Sequence, residues 1–262
     1  MLINTILLFL NNALPVFIMT SLLLRYFSLN DADNVNTKWL LLGFSLTVIA
    51  SFILSNNLEN LSLMLDDKGT ELFLSFGAII VYLSIVGLFI LSNVHRYTAI
   101  KKFLALFIFF ILGSFNGAHF IIYLISYWTQ AKQDDTLLIG ITLGGGICLS
   151  ISILFYFLLR SMDKRIYNQT SCYFLLFFGV GQLMQAIMLL QQVDILSSSQ
   201  PIWDSGAFIA EESGLGQLLT VLFGYETTPS MLQLISYIAA LTLPVMLLKL
   251  PYISSYLYGN KS

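Results

Sequence analysis

Long apolar stretches, each about the length of a membrane-spanning helix, alternate with short polar segments along almost the whole chain. A helix crosses the hydrocarbon core of a bilayer with roughly 20 predominantly apolar residues. The stretches that meet or approach this length are about Leu2–Leu24, Trp39–Leu54, Leu72–Leu91, Phe103–Trp128, Leu137–Leu159, Cys172–Leu190 and Leu232–Leu250. The pattern therefore predicts an all-α integral membrane protein with seven transmembrane helices.

Composition supports this class of protein. The chain is 57% hydrophobic and 10% charged, with a mean hydropathy of +0.83. Soluble domains carry about 25% charged residues, so lipid must cover much of the surface of this chain. The scarcity of Lys and Arg excludes a nucleic-acid partner. Cys148 and Cys172 both lie in apolar stretches, which excludes a disulfide scaffold and a cysteine-based zinc site.

Basic residues concentrate in alternate loops, and those that flank membrane spans are retained in the cytoplasm. The even-numbered loops hold only Lys68 and Lys132. The odd-numbered loops and the C-terminal tail hold Arg25, Lys38, Arg96, Lys101, Lys102, Arg160, Lys164, Arg165, Lys249 and Lys261. This asymmetry predicts a cytoplasmic (inner or plasma) membrane protein with its N-terminus outside and its C-terminus in the cytoplasm. In this reading every charged side chain lies at or beyond the end of a span.

The acidic residues show the opposite distribution. Of the 14 carboxylates, only Asp31, Asp33 and Asp163 fall on the predicted inner side. Five of those on the outer side lie in the long loop before the last span, namely Asp194, Asp204, Glu211, Glu212 and Glu226. An acidic mouth of this kind would raise the local concentration of cations. The alternative is that these are ordinary solvated loop charges.

Polar residues inside the spans are few and neutral. Asn11 and Asn12 lie in the first span, and Asn116 and His119 lie three residues apart in the fourth, on one face of a helix. Ionisable groups within a membrane are costly and usually mark a functional path. The alternative role for His119 is a hydrogen bond that only joins two helices.

An enzyme is not expected. An intramembrane aspartyl protease needs two carboxylates at depth, and the predicted spans hold none. Ser114 and His119 are five residues apart, so they do not share a helix face and are unsuited to a nucleophile and its base.

The first and fourth spans are each followed by two more spans and carry their polar cluster early. A three-span unit repeated once enters the membrane from opposite sides, as in many secondary transporters. We therefore expect one membrane domain over 1–262. Its parts would be a first repeat (1–100), a second repeat (101–193), an acidic outer loop (194–231), and a seventh helix with a tail (232–262).

The end of the chain carries the most specific motifs. These are Pro201–Ser205 with Trp203-Asp204-Ser205, Gly214–Leu219, and Phe223–Gln233 with Gly224-Tyr225 followed by Pro229 and Leu232-Gln233. This ending resembles the high-affinity iron permease family, the fungal ferric permease and its bacterial relatives. Span order, predicted topology and length agree with that family as well.

The resemblance implies an ion site between the first and fourth spans, where the family carries Arg-Glu-Gly-x-Glu. On our alignment Asn11, Asn12 and Pro15 stand at the Arg and Glu positions of the first motif. Phe115, Asn116 and His119 stand at those positions in the second. The candidate metal ligands are therefore His119, Asn116, Asn11 and Asn12. Imidazole and amide groups suit softer or divalent ions better than ferric iron.

Two hypotheses follow from the resemblance. The first is a transporter of iron or a related metal cation, with no resident cofactor, for which an extracellular or periplasmic oxidase or metal-delivery partner stays open. The second is a transport-silent relative that acts as a membrane interaction or accessory subunit. Loss of the family carboxylates favours the second hypothesis, and retention of polar residues at the same positions favours the first.

Overall fold

Each of the predicted apolar stretches forms a helix in the structure, a computed structural model that describes residues 2–30, 38–65, 67–92, 94, 97–130, 136–165, 169–197 and 200–249. The helices are α1 (Leu2–Asn30), α2 (Lys38–Ser62), α3 (Gly69–Leu91), α4 (Thr98–Gln130), α5 (Thr136–Arg165), α6 (Thr170–Gln192), α7 (Gly214–Phe223) and α8 (Met231–Lys249). The tail 251–262, Lys132, Arg96 and the acids at 31 and 33 lie outside the described residues.

Six of these helices, α1, α3, α4, α5, α6 and α8, are long and apolar enough to cross a membrane. In α2 the apolar stretch that the structure describes with side chains, Gly43–Leu58, is shorter. The molecule is therefore a multi-pass membrane protein, as the sequence predicts.

Large apolar side chains cover much of the outside of the bundle. Ile53 on α2 is 61% exposed, Leu154 on α5 is 69% exposed, and Met246 on α8 is 64% exposed. A soluble protein rarely leaves such continuous apolar surface in contact with water. These faces are the surfaces that the bilayer covers.

The interior is formed where α1, α3, α4, α5 and α6 meet. Its fully buried side chains include Leu14, Ile18 and Leu22 of α1, Ile85 of α3 and Ile108 of α4. The most extensive helix contacts are those of α1 with α5, α3 with α6, and α2 with α4. If α1 is exchanged with α4, α2 with α5 and α3 with α6, the same three helix pairs result.

Small residues allow the closest of these approaches. Gly140 and Gly144 of α5 face Thr5 and Phe9 of α1, and a Cβ added at Gly144 would lie 2.7 Å from the Phe9 Cβ. This is the role expected of a small-xxx-small pair, which lets two helix backbones come together.

The long loop before α8 is an ordered cap. Pro201 pairs with Ser230 in an antiparallel bridge, and the Ser205 amide donates to the Thr227 carbonyl at 2.9 Å. The short helix α7 is capped at its N-terminus by Ser213, whose hydroxyl accepts from the Gly216 amide at 3.0 Å. Side chains of Leu222, Leu218 and Phe223 pack on the core, whereas Leu215 is 71% exposed.

Helix α7 ends at Gly224, which has a φ of 66°, a left-handed conformation that favours glycine. Gly224 also lies against Gly181 of α6, where an added Cβ would meet backbone atoms. The glycine that opens the Gly224-Tyr225 motif is thus required by both backbone conformation and space.

Candidate functional site

The helices α1 and α4 pack against each other in antiparallel orientation. At one end the rings of Phe9 and Phe120 meet edge to face with their centroids 4.8 Å apart. At the other end Lys101 Nζ lies 5.9 Å from the centre of the Tyr26 ring. These two contacts show which residues of α1 and α4 lie at the same level along the helix pair.

This correspondence places Asn12 and Asn116 at the same level. Asn12 follows Phe9 by three residues, and Asn116 precedes Phe120 by four. Since each residue advances a helix by about 1.5 Å, the two asparagines lie at about equal depth on two packed helices.

The two side chains also have the same local geometry. Asn12 Nδ2 donates to the Leu8 carbonyl at 3.1 Å, and Asn116 Nδ2 donates to the Leu112 carbonyl at 2.8 Å. Both side chains are half-buried. Because each amide uses its nitrogen on its own helix, its oxygen remains as an acceptor for a donor or a cation.

A helix irregularity lies beside this pair. Pro15 is buried inside α1. A proline in a helix interior has no N–H for the carbonyl four residues earlier, which here is that of Asn11. The backbone at the level of the asparagine pair therefore offers a carbonyl oxygen outside the regular helical pattern.

The other two predicted ligands are placed differently. The side chains of Asn11 and His119 are exposed on the surface of the bundle. Leu14, three residues after Asn11, and Ala118, directly before His119, are buried. The structure thus brings two of the four predicted residues to a common level and leaves two at the surface. Among the residues that the structure describes, no group of three or more His, Cys, Asp or Glu could hold a metal ion.

Two of the predicted outer acids are bound within the cap. Glu211 Oε1 accepts from the Thr227 amide at 2.6 Å and from the Thr227 hydroxyl at 2.7 Å. Glu226 Oε2 accepts from Gln233 Nε2 at 2.6 Å. Asp204 accepts from the Gly206 amide at 2.8 Å and is exposed, as is Glu212.

Glu226 borders a cavity of about 250 Å³ between the cap, α6 and α8. The cavity is lined by Met184, Trp203, Phe223, Gly224, Tyr225, Glu226, Pro229, Gln233, Leu234 and Tyr237. Burial raises the pKa of the Glu226 carboxyl and the charge of Glu211 raises it further, whereas the hydrogen bond from Gln233 lowers it. This end of the bundle thus holds a carboxylate that is partly desolvated.

The opposite end holds an ion pair that the sequence pattern did not predict. The Nε atom of Arg25 in α1 lies 2.7 Å from Oδ2 of Asp163 in α5, and only 8% and 1% of these two side chains are exposed. Asp163 also accepts from the amide of Ser171 at 2.9 Å and from its hydroxyl. Arg25 and Asp163 both lie beyond the predicted spans Leu2–Leu24 and Leu137–Leu159, but they are buried inside the bundle rather than solvated, which the sequence pattern did not predict.

Lys101 is buried at the same end, with 1% exposed. Its Nζ donates to the Ser92 carbonyl at 3.1 Å, and the Tyr26 hydroxyl beneath it donates to the Leu88 carbonyl at 2.8 Å. Together with the ion pair, these bonds join α1, α3, α4, α5 and α6 where their ends meet. We call this set, Arg25, Asp163, Ser171, Lys101 and Ser92, the charged cluster.

A signal for the charged cluster does exist in the sequence. Phe155, Leu159 and Asp163 follow one another at four-residue spacing, and the first two are buried. This places Asp163 on the core-facing stripe of α5 rather than among the exposed bases around it. Reading the stripe to the end of the helix would have located the buried acid.

No family model, curated protein or solved structure matches the chain. The resemblance to the iron permease family stays a prediction that rests on the motifs quoted above.

Proposed function

We propose that this protein transports a metal cation, iron or a related ion, across the cytoplasmic membrane along the junction of α1 and α4. The observation that carries the proposal is the pair of half-buried asparagines, Asn12 and Asn116, at one level of two packed antiparallel helices. In the proposed path the side-chain oxygens and the Asn11 backbone carbonyl bind the ion as a substrate.

The exchange pattern of the helix contacts supports a transporter architecture. Contacts that persist when α1–α3 and α4–α6 are exchanged are those expected of two three-helix units related by a two-fold axis in the membrane plane. In this architecture α2 completes the first unit and α8 is a seventh span. The N-terminus is outside, and α1 and α4 enter the membrane from opposite sides.

The two ends of the bundle support a direction of approach. The end with Glu211 and Glu226 is acidic and attracts cations, especially at low ionic strength. The other end is closed by the charged cluster, which ties the two three-helix units together. A cation therefore reaches the asparagine pair from the acidic end, and the charged cluster has to separate before the cation leaves.

The second candidate is a transport-silent relative that serves as a membrane accessory subunit. It is favoured by the placement of His119 and Asn11 at the surface and by the own-helix bonds of Asn12 and Asn116. Both observations fit residues that stabilise helices without binding an ion.

Uptake by the purified protein in liposomes separates the two candidates. Ferric, ferrous, manganese and zinc ions are supplied separately to wild type, to Asn12→Ala/Asn116→Ala and to Asn57→Ala. Asn57 on α2 is a matched control because its Nδ2 makes the same own-helix bond, to the Ile53 carbonyl at 2.8 Å, away from the α1–α4 junction. His119→Gln is measured in parallel.

We expect wild type to take up at least one of the four ions. The double variant should lose about 10–100-fold of that uptake, the range seen when a metal site loses supporting groups, and Asn57→Ala should retain it. Equal uptake by both variants would overturn the asparagine path. No uptake by wild type with any ion would favour the silent relative, and loss of uptake in His119→Gln with normal folded yield would move the site toward that residue.

A further inference from the structure

A basic concavity lies at the end of α5 next to the charged cluster. It has a volume of about 270 Å³ and is lined by Phe157, Arg160, Ser161, Lys164 and Arg165. These positions are spaced by three, one, three and one residues, so they form a single stripe along the last two turns of the helix. Neither the asparagine pair nor the outer acids belong to this stripe.

The positive charge of the stripe is not neutralised by its own helix. Asp163 lies among these bases in the sequence, but its side chain is 1% exposed and is bound to Arg25 and Ser171 inside the bundle. In the described part of the chain, Arg160, Lys164 and Arg165 form no ion pair with a carboxylate. Among the residues that the structure describes, these three exposed cations therefore face outward without an anionic partner.

The stripe continues a surface that lipid covers. Leu154, Phe157 and Leu158 are 69%, 57% and 52% exposed, directly before the basic residues. Helix α5 has 30 residues and is therefore about 45 Å long, whereas the hydrocarbon core measures about 30 Å. The apolar part of the stripe lies beside acyl chains, and its basic end emerges at the level of the lipid headgroups.

We propose that this stripe binds the headgroup of an anionic phospholipid. The phosphate group lies between Arg160 and Lys164, where a guanidinium can donate two parallel hydrogen bonds to its oxygens. Ser161 supplies a neutral donor, and an acyl chain follows Phe157 and Leu154 along α5. The occupant is a lipid of the bilayer in which the protein already sits, because the basic and acyl-facing parts of the site are continuous.

A lipid bound here acts on the closed end of the bundle. Asp163 lies in the same helical turn as Arg160 and Lys164 but is buried, so a headgroup holding this turn also holds one partner of the buried ion pair. Basic pockets that face the membrane interface bind anionic lipids in this way.

The test titrates the full-length protein in neutral phosphatidylcholine nanodiscs with phosphatidylglycerol, and native mass spectrometry counts retained lipid. The variant is Arg160→Gln/Lys164→Gln, and the matched control is Lys68→Gln/Lys102→Gln, which removes two basic residues elsewhere. Inorganic phosphate and glycerol phosphate are titrated separately as soluble anions.

We expect wild type and the control to retain phosphatidylglycerol equally. The Arg160/Lys164 variant should bind it about 30-fold more weakly, since each basic residue near an anionic surface contributes about fivefold. Should the double variant fail to fold, Arg160→Gln and Lys164→Gln alone should each lose about fivefold. Binding that is unchanged in the variants, or that is matched by phosphatidylcholine or by the soluble phosphates, would overturn the proposal.

Discussion

At the scale of single residues, the most consequential pair is Arg25 and Asp163. Removing water from two charges is costly, and their mutual attraction offsets that cost only when the remaining hydrogen-bonding capacity is also satisfied. Ser171 satisfies it here, because its amide donates to Asp163 at 2.9 Å and its hydroxyl donates to the same carboxylate. The pair therefore depends on a residue of α6 as well as on α1 and α5.

We expect Asp163→Asn to lower the free energy of unfolding by about 3–5 kcal/mol, because it leaves Arg25 buried without a counter-charge. Asp194→Asn is the control. Asp194 is exposed and has a φ of 59°, a conformation that asparagine tolerates well, so its effect should stay within about 0.5 kcal/mol. Unfolding of the purified protein in mixed micelles measures both.

The double variant Arg25→Met/Asp163→Leu gives a further check. Replacing a buried ion pair by apolar residues of similar size is often nearly neutral, so this variant should recover most of the loss. If Asp163→Asn were as stable as Asp194→Asn, the ion pair would not hold the bundle together.

At the scale of helices, a proline inside α8 leaves free the backbone carbonyl through which this helix is bonded to α3. Pro244 lies inside α8 and has no N–H to offer the carbonyl of Ala240, four residues earlier. The Tyr82 hydroxyl of α3 donates to that carbonyl at 2.8 Å. Freed carbonyls in membrane helices are satisfied by neighbours in this way, so the proline creates the acceptor that anchors α8.

This arrangement predicts a coupling between the two residues. Tyr82→Phe should cost about 0.6–2 kcal/mol of stability, the range for interhelical hydrogen bonds in membranes. In a Pro244→Ala background the restored backbone N–H satisfies Ala240, so Tyr82→Phe should cost much less. Unfolding free energies of the four proteins in this double-mutant cycle measure the difference.

Pro15→Ala is the control for Pro244→Ala. It also removes a proline from a helix, but Pro15 lies in α1 and frees the carbonyl of Asn11, whereas Tyr82 bonds to the carbonyl of Ala240. The cost of Tyr82→Phe should be the same there as in wild type. An equal cost in the Pro244→Ala background would mean that the tyrosine contributes only by packing.

At the scale of the whole molecule, the orientation in the membrane determines what each end does. Cysteines are introduced singly at Ser197 and at Lys164, both exposed in the structure. The native Cys148 and Cys172 are buried and are replaced by alanine. Because ten of the basic residues fall in the loops assigned to the cytoplasm, an impermeant thiol reagent added to intact cells should label position 197 and spare position 164.

Permeabilised cells are the control, and both positions should then react. Labelling of both sites in intact cells would contradict the orientation. The acidic end would in that case not be the entrance from outside, and the basic stripe of α5 would face the other leaflet.

Much of the architecture followed from the sequence because the bilayer imposes it. A span needs about 20 apolar residues whose backbone groups bond within the helix, and these stretches are visible without knowing their neighbours. Polar residues at depth are conspicuous for the same reason, which is why Asn12 and Asn116 were recognised before their helices were placed.

Only the tertiary structure decided what depends on the rotation and partner of each helix. Asp163 and Lys164 are adjacent in the sequence, yet one is buried against Arg25 and the other is exposed on the basic stripe. His119 and Asn116 share a predicted face, yet Asn116 is half-buried and His119 lies at the surface. Composition and periodicity specify that a helix crosses the membrane, whereas the pairing of its polar groups depends on contacts with helices distant in the chain.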